Sequence, residues 1–417
     1  MLREVLIQAW AALKRNKTRS VLTMLGIVWG IAAVALLIAY GKGMRTVVMA
    51  AFDAFGRGAV ICWPAQTSEQ AGGQRAGKHV VFEKEDVELI QQEATLVRTV
   101  CMETVRWLPI SYGDRMANTA IRGVCPEYGE MRNEVPDHGR WISAEDVLER
   151  RRVVFLGYRL REKLFSGRPA VGEIVRIGGV RFTVIGTMDL KIQDSNYFTS
   201  DDESCWIPYS SAGDLWNTRY GSVLVFEPIA PQFEKEAIRQ VRAAVAKRQR
   251  FSPTDERAIM MFGREQFRPI VDGITIGFQA LFTFIGALTL GIGGVGVMNI
   301  MLVSVDERIR EIGLRRALGA RRRHIQAQFL SEALVLTLIG GFIGMAVAYA
   351  LSTLIGTLPF YGPLYEDTSG KGDIHLTISM STVLLSSIIL VLVGVLSGMV
   401  PALRASRLDP VEALRYE

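Results

Sequence analysis

Three glycine–lysine pairs, Gly41-Lys42, Gly77-Lys78 and Gly370-Lys371, are the first residues to test for phosphate chemistry. A nucleotide-cradling loop needs G-x-x-x-x-G-K-[ST], so that backbone amides and the lysine converge on the phosphates. These pairs continue into Gly43, His79 and Gly372, and none fits. His79, His138, His324 and His375 are scattered, with no H-E-x-x-H pair, and no G-x-S-x-G elbow occurs. The run Gly291-Ile292-Gly293-Gly294-Val295-Gly296 imitates a dinucleotide fingerprint but lies in an apolar stretch, where close helix packing is the better reading. No catalytic, cofactor-binding or metal-binding residue is assigned, and ATP hydrolysis is not expected of this chain.

The most informative chemistry is that of docking. Residues 306–323 carry seven Lys/Arg and three acids in 18 residues, with Ile309, Ile312, Leu314, Ala317 and Leu318 at roughly helical spacing. The segment lies between two apolar runs and reads as a short cytoplasmic surface helix. Ile312, Leu314, Ala317 and Leu318 supply apolar knobs; Glu311, Arg315, Arg316 and Arg321 supply a charged rim. Topology-setting arginines alone would explain the charge but not the apolar pattern.

The elements that must present this segment are membrane spans. Residues 21–40, 273–305, 333–365 and 376–403 contain no Asp, Glu, Lys or Arg, and a span needs about 20 apolar residues. The expected fold is an α-helical membrane protein with four transmembrane helices and a large external α+β domain between helices 1 and 2. Basic residues in 1–20, 306–323 and the tail place both termini and the middle loop in the cytoplasm. The net charge of +6 comes from these flanks and calls for no nucleic acid.

Residues 2–13 repeat apolar positions at helical spacing and are expected to lie as an amphipathic helix (1–19) in the headgroup region. Helix 1 with a stalk covers 20–55, the external domain 56–262, the second stalk and span 263–305, and the coupling helix 306–324. Spans 325–356 and 376–403 flank a loop at 357–375, and 404–417 form a tail. Within the external domain a second subdomain, about 116–217, is expected to be inserted into the first. Helices are predicted at 84–93, 144–149, 158–165 and 232–248, with strands at 80–82, 117–122, 153–156, 173–177, 180–185 and 223–226. Gly178-Gly179 marks a hairpin. Window 273–305 would be roughly 50 Å long as a helix, more than a bilayer needs.

Gly26/Gly30, Gly340/Gly344 and Gly394/Gly398 are spaced for close helix packing, within a bundle or between copies. Glu332 is an acid inside the third span, and pairing with an arginine of 306–323 is the favoured reading over an ion relay. Cys62, Cys101, Cys125 and Cys205 all lie in the external domain without C-x-x-C spacing, leaving buried thiols and bridges equally open.

Three signatures resemble the MacB/FtsX-type permeases of ABC transporters. Residues 310–320, REIGLRRALGA, are similar to the family's cytoplasmic motif, and 401–414, PALRASRLDPVEAL, to its C-terminal motif. In the external domain Ile121-Arg122-Gly123-Val124, Gly139-Arg140, 153–157 and 171–186 follow the order of the family's periplasmic core. The resemblance implies docking of a separate ATPase, which carries ATP and Mg, on Glu311, Ile312, Gly313, Leu314, Arg315, Arg316, Ala317, Leu318, Gly319 and Ala320. It also implies further contact through Asp409, Pro410, Val411 and Leu414. It implies a homodimer in the bacterial inner membrane that conveys ATP-driven movement to a periplasmic domain, for export with a periplasmic adaptor and outer-membrane channel. Regulation of cell-wall hydrolases, lipoprotein release and, outside the family, a ligand sensor are the alternatives.

Overall fold

A computed structural model describes residues 17–415 except 57, 74, 194, 195, 367 and 368, with side chains from 24 to 413. The amphipathic helix expected at 1–19 lies almost wholly outside the described residues, as does the side chain of Leu414. The chain forms two compact units, Met1–Val47 with Gly273–Glu417, and Val48–Asp272. In chain order the main helices are α1 (Lys17–Ala54), α2 (Lys84–Glu93), α3 (Tyr158–Phe165), α4 (Glu234–Gln249), α5 (Arg268–Glu307), α6 (Ile309–Ala317), α7 (Arg322–Ile355), α8 (Met380–Arg407) and α9 (Pro410–Arg415).

Among the described residues α1, α5, α7 and α8 are the four helices long and apolar enough to cross a membrane. They pack around Ile27, Ile31, Val34, Leu290, Val297, Phe329, Leu336 and Leu390. Their outward faces stay apolar, with Phe284, Ile292, Phe342 and Leu396 among the exposed side chains. Helices apolar all round suit hydrocarbon rather than water on the outside. Between α7 and α8 the short strands Thr357–Leu358 and Ile374–His375 pair antiparallel.

The second unit is built on one ten-stranded sheet. Its strands are β1 (Val60–Pro64), β2 (Val97–Tyr112), β3 (Arg115–Val124), β4 (Pro136–Gly139), β5 (Val153–Leu156), β6 (Ile174–Ile177), β7 (Val180–Met188), β8 (Cys205–Pro208), β9 (Val223–Pro228) and β10 (Ile259–Gly263). The order is β10-β1-β9-β2-β3-β8-β5-β7-β4, with β6 pairing both β2 and β7. Gly178 and Gly179, both at positive φ, close the β6–β7 hairpin with Ile177 opposite Val180. One apolar core, with Val60, Phe82, Leu224, Phe226 and Val241, involves α2 and α4. A second, with Ile121, Val154, Leu164, Phe182 and Ile207, involves α3.

Strands β1, β2, β4, β8 and β10 are not among those expected from sequence. The 16-residue β2 contains Arg98, Glu103, Arg106 and Pro109, which break the alternation that marks a strand. The cysteines, left open by sequence, resolve into one bridge, Cys101–Cys125, tying β2 to the segment just after β3, and two buried thiols, Cys62 and Cys205. Closing a loop across a sequence separation of 24 restricts the unfolded chain by about 3 kcal/mol.

Candidate coupling surface

The charged segment is not one helix. Asp306 and Glu307 end α5, the backbone turns at Arg308, α6 occupies Ile309–Ala317, and α7 begins at Arg322. The reversal is sequence-encoded. Gly319 has φ +94° and the amides of Gly319 and Ala320 donate to the carbonyls of Arg316 and Arg315, the paired bonds of a Schellman cap. Gly319 and Ala320, expected as docking residues, therefore shape the end of α6.

Ile312 is a second correction. It is 2% exposed and packs with Val305, Ile325, Phe329, Ala402 and Ala405. A knob for a partner must be outside, and this one holds α6 to the bundle. Gly313 faces α9, where a Cβ would meet that of Ala413 at 2.6 Å. Asp409 accepts from the amide of Val411 at 2.8 Å and so starts α9, with Pro410 as its first residue. Helices α6 and α9 thus form one closely packed pair.

Arginines fasten this pair to the spans. Arg316 donates to the carbonyls of Ser406 and Leu408 at 2.7 and 3.1 Å, and a cation at a helix C-terminus is favourable. Arg315 reaches Gln328 on α7 at 2.7 Å and Glu311 at 2.5 Å. Arg308 donates to both oxygens of Glu332, at 3.2 and 3.3 Å. The intramembrane acid is thereby tied to the turn between α5 and α6.

What remains outward is Leu314, Ala317 and Leu318, at i, i+3 and i+4 of one helix face, with Leu314 52% and Leu318 80% exposed. Arg310, Glu311 and Arg321 are exposed beside them, and Val411 is exposed on α9. The result is an exposed apolar stripe with a charged rim, fixed to three span ends.

Residues 20–247 match the model of the MacB-like periplasmic core domain, and residues 283–410 that of the FtsX-like permease C-terminal region. The chain belongs to the MacB/FtsX family of ABC transporter permeases. It is 31% identical over 99% of its length to the macrolide export ATP-binding/permease protein MacB of Bdellovibrio bacteriovorus. It is 32% identical over 99% of its length to the MacB of Chlorobaculum tepidum. The chain spans about three fifths of these relatives, 62% and 61%. The crystal structure of the periplasmic region of MacB from Actinobacillus actinomycetemcomitans covers 54% of the chain, and 97% of that structure is matched, at 12% identity and a TM-score of 0.41.

The expected glycine pairs of this permease are seams within the chain. Gly26 lies against Gly293 and Gly30 against Leu290; Gly340 and Gly344 lie against Ile27 and Ile31; Gly394 and Gly398 lie against Thr337 and Ala333. The sequence left Gly286 and Gly341 unassigned, yet they meet Val34 and Leu390. Gly344 is the tightest: a Cβ there would sit 1.9 Å from Ile31 Cγ2 and 2.6 Å from the Val28 carbonyl. A side chain could rotate away, but the carbonyl cannot, so α1 and α7 would have to part. We expect Gly344→Val to destabilise the bundle by about 3 kcal/mol, the upper range for overpacking, read as a lower unfolding temperature in detergent. Gly273→Val, with open space around it, serves as the control and leaves that temperature unchanged.

The core domain encloses a second feature that the sequence did not flag. Arg122, Arg132 and Lys191 are buried with Glu103, Glu134, Asp201 and Asp202, three cations against four carboxylates. Lys191 bonds Glu134 at 3.0 Å and Asp201 at 2.8 Å. Burial pushes Asp202 up to about 7, despite a bond from the Lys191 amide; burial and the neighbouring Asp201 also raise Glu134. An acid whose pKa is raised by folding binds protons more tightly folded than unfolded, so stability falls as pH rises. The window runs from about pH 4, the ordinary carboxylate value, through about pH 7 for Asp202. We expect the core domain to melt at lower temperature at the upper end, and Asp202→Asn to flatten the dependence. The slope is at most about 1.4 kcal/mol per pH unit for each such group, and the fluorescence of buried Trp206 is the readout.

Proposed function

We propose that this permease conveys movement from a cytoplasmic ABC ATPase to its core domain in the service of export. The observation that carries this reading is the α6–α9 pair, an exposed apolar stripe fastened by Arg308, Arg315 and Arg316 to the ends of α5, α7 and α8. The 417 residues hold no phosphate-binding loop, while relatives are named ATP-binding/permease proteins, so ATP and Mg sit on the ATPase. Unbroken helices of 38 and 40 residues, α1 and α5, run from the membrane unit into the core unit. Such helices exceed the hydrocarbon thickness of about 30 Å and are suited to carry displacement outward.

In this reading the chain sits in the inner membrane with both termini cytoplasmic and the core domain periplasmic. A second copy packs along α5, where Gly277, Leu281, Phe284, Leu288, Gly291 and Val295 recur at heptad spacing on an unpartnered face. The core domain meets a periplasmic adaptor that leads to an outer-membrane channel. The names of relatives, a macrolide exporter and a probable syringafactin exporter, favour export over the other roles of the family. The test is amide hydrogen exchange on the permease reconstituted in lipid with its ATPase. ATP is expected to change exchange in 48–56 and 259–272, the two segments through which the spans join the core domain. Exchange there that is indifferent to ATP overturns the reading.

A further inference from the structure

The C-terminal end of α1 is gripped by buried arginines inside the core unit. Arg132 is fully buried, donates to the Phe55 carbonyl, and lies over the Phe55 ring at 3.8 Å. Arg264, 1% exposed, donates to the Gly56 carbonyl and to Asp53, both at 2.7 Å, and covers the Phe52 ring at 3.9 Å. Gly56, at φ +134°, presses so closely on Met131 that a Cβ would lie 2.4 Å from its carbonyl oxygen. The helix end has nowhere to slip.

Arg132 does not stop at the helix. Its other nitrogen bonds Asp201 at 3.0 Å, Asp201 stands 3.7 Å from Arg122, and Arg122 bonds Glu103 at 3.0 Å. Glu103 lies in the middle of β2, the longest strand of the sheet. Buried ion pairs of this kind rarely add net stability over apolar packing. Their use here therefore points to geometry: directional bonds that fix distances under load better than apolar contacts, which can slide.

We propose that Arg132 and Arg264 clamp the end of α1, and that the relay Arg132–Asp201–Arg122–Glu103 makes β2 follow the movement of that helix. Both arginines are positioning residues. The proposal rests on the force-transmission reading above and adds the route that force takes within the core domain.

The experiment uses the full chain with its ATPase in lipid, spin-labelled at Ala50→Cys on α1 and Arg106→Cys on β2, both exposed positions. Cys62 and Cys205 are buried, and Cys101 and Cys125 are bridged, so only the introduced thiols react. In the otherwise native chain ATP is expected to shift the Ala50 label relative to the bilayer while the 50–106 distance stays constant. In Arg132→Met, and independently in Arg264→Met, the Ala50 shift persists but the 50–106 distance now changes with nucleotide. If Arg132→Met does not fold, Arg132→Lys keeps a cation beside Asp201, loses the fork to Phe55, and is expected to uncouple in the same way. A distance that remains constant in both methionine variants, or that already varies in the native chain, overturns the clamp. An Ala50 label that never responds to ATP overturns the force-transmission reading, and the clamp with it.

Discussion

Leu314→Asp is expected to abolish association with the ATPase while leaving all four spans inserted. Leu314 is half exposed on α6, and with Ala317 and Leu318 it forms the outward apolar face. Placing a carboxylate on that face leaves an unpaired charge wherever a partner would close over it. A central hot-spot residue is worth about 3 kcal/mol, or roughly a hundredfold in Kd. Leu318→Asp acts in the same direction. The choice of position matters: Ile312→Asp would bury a charge in the bundle, and Gly319→Arg would strain a backbone at φ +94°. Either would be lost for reasons unrelated to docking. Co-purification and a titration of the purified ATPase against the detergent-solubilised permease read the effect. An unchanged Kd for Leu314→Asp would move the docking site elsewhere.

Arg122→Ala is expected to destabilise the core domain severely, lowering its melting temperature. Arg122 is fully buried and bonds Glu103, Ser204 and the carbonyls of Tyr197 and Thr199, at 2.9–3.2 Å. Its removal leaves the buried Glu103 carboxylate with one remaining hydrogen-bond partner among the described residues, the Tyr197 hydroxyl at 2.6 Å. Breaking one side of a buried pair costs about 3–5 kcal/mol, against a total of about 5–15 kcal/mol for a domain. The double substitution Arg122→Met with Glu103→Leu removes both charges and is expected to be much less damaging than Arg122→Ala alone. Circular dichroism melts of the three proteins measure this. Equal losses in the single and double variants would show that volume, not charge, sets the cost.

Much of this molecule was legible in one dimension. Charge-free windows located the spans because hydrocarbon excludes charge whatever the rest of the fold does. Helices α2 and α3, strand β5 and the Gly-Gly hairpin stood out because their signals are local: periodicity and turn residues that require positive φ. The placing of Glu332 next to an arginine of 306–323 followed from the cost of an unpaired acid in a membrane. The family signature at 310–320 was readable because it is a short helix with its own cap, whereas that at 401–414 joins the last turns of α8 to the start of α9.

Three things were decided only by tertiary structure. Ile312 and Leu314 are both apolar residues of one short helix, and only packing against α7 and α8 makes the first core and the second surface. Glycine pairs show that helices approach closely, but not which ones: Gly26 and Gly344 find partners on different helices of the same chain. Arg122, Arg132, Asp201 and Glu103 lie up to about a hundred positions apart, and no local pattern announces that they will share one buried site. A sequence records which side chains need partners; the burial that makes the need costly, and the partner that meets it, exist only once distant strands have paired.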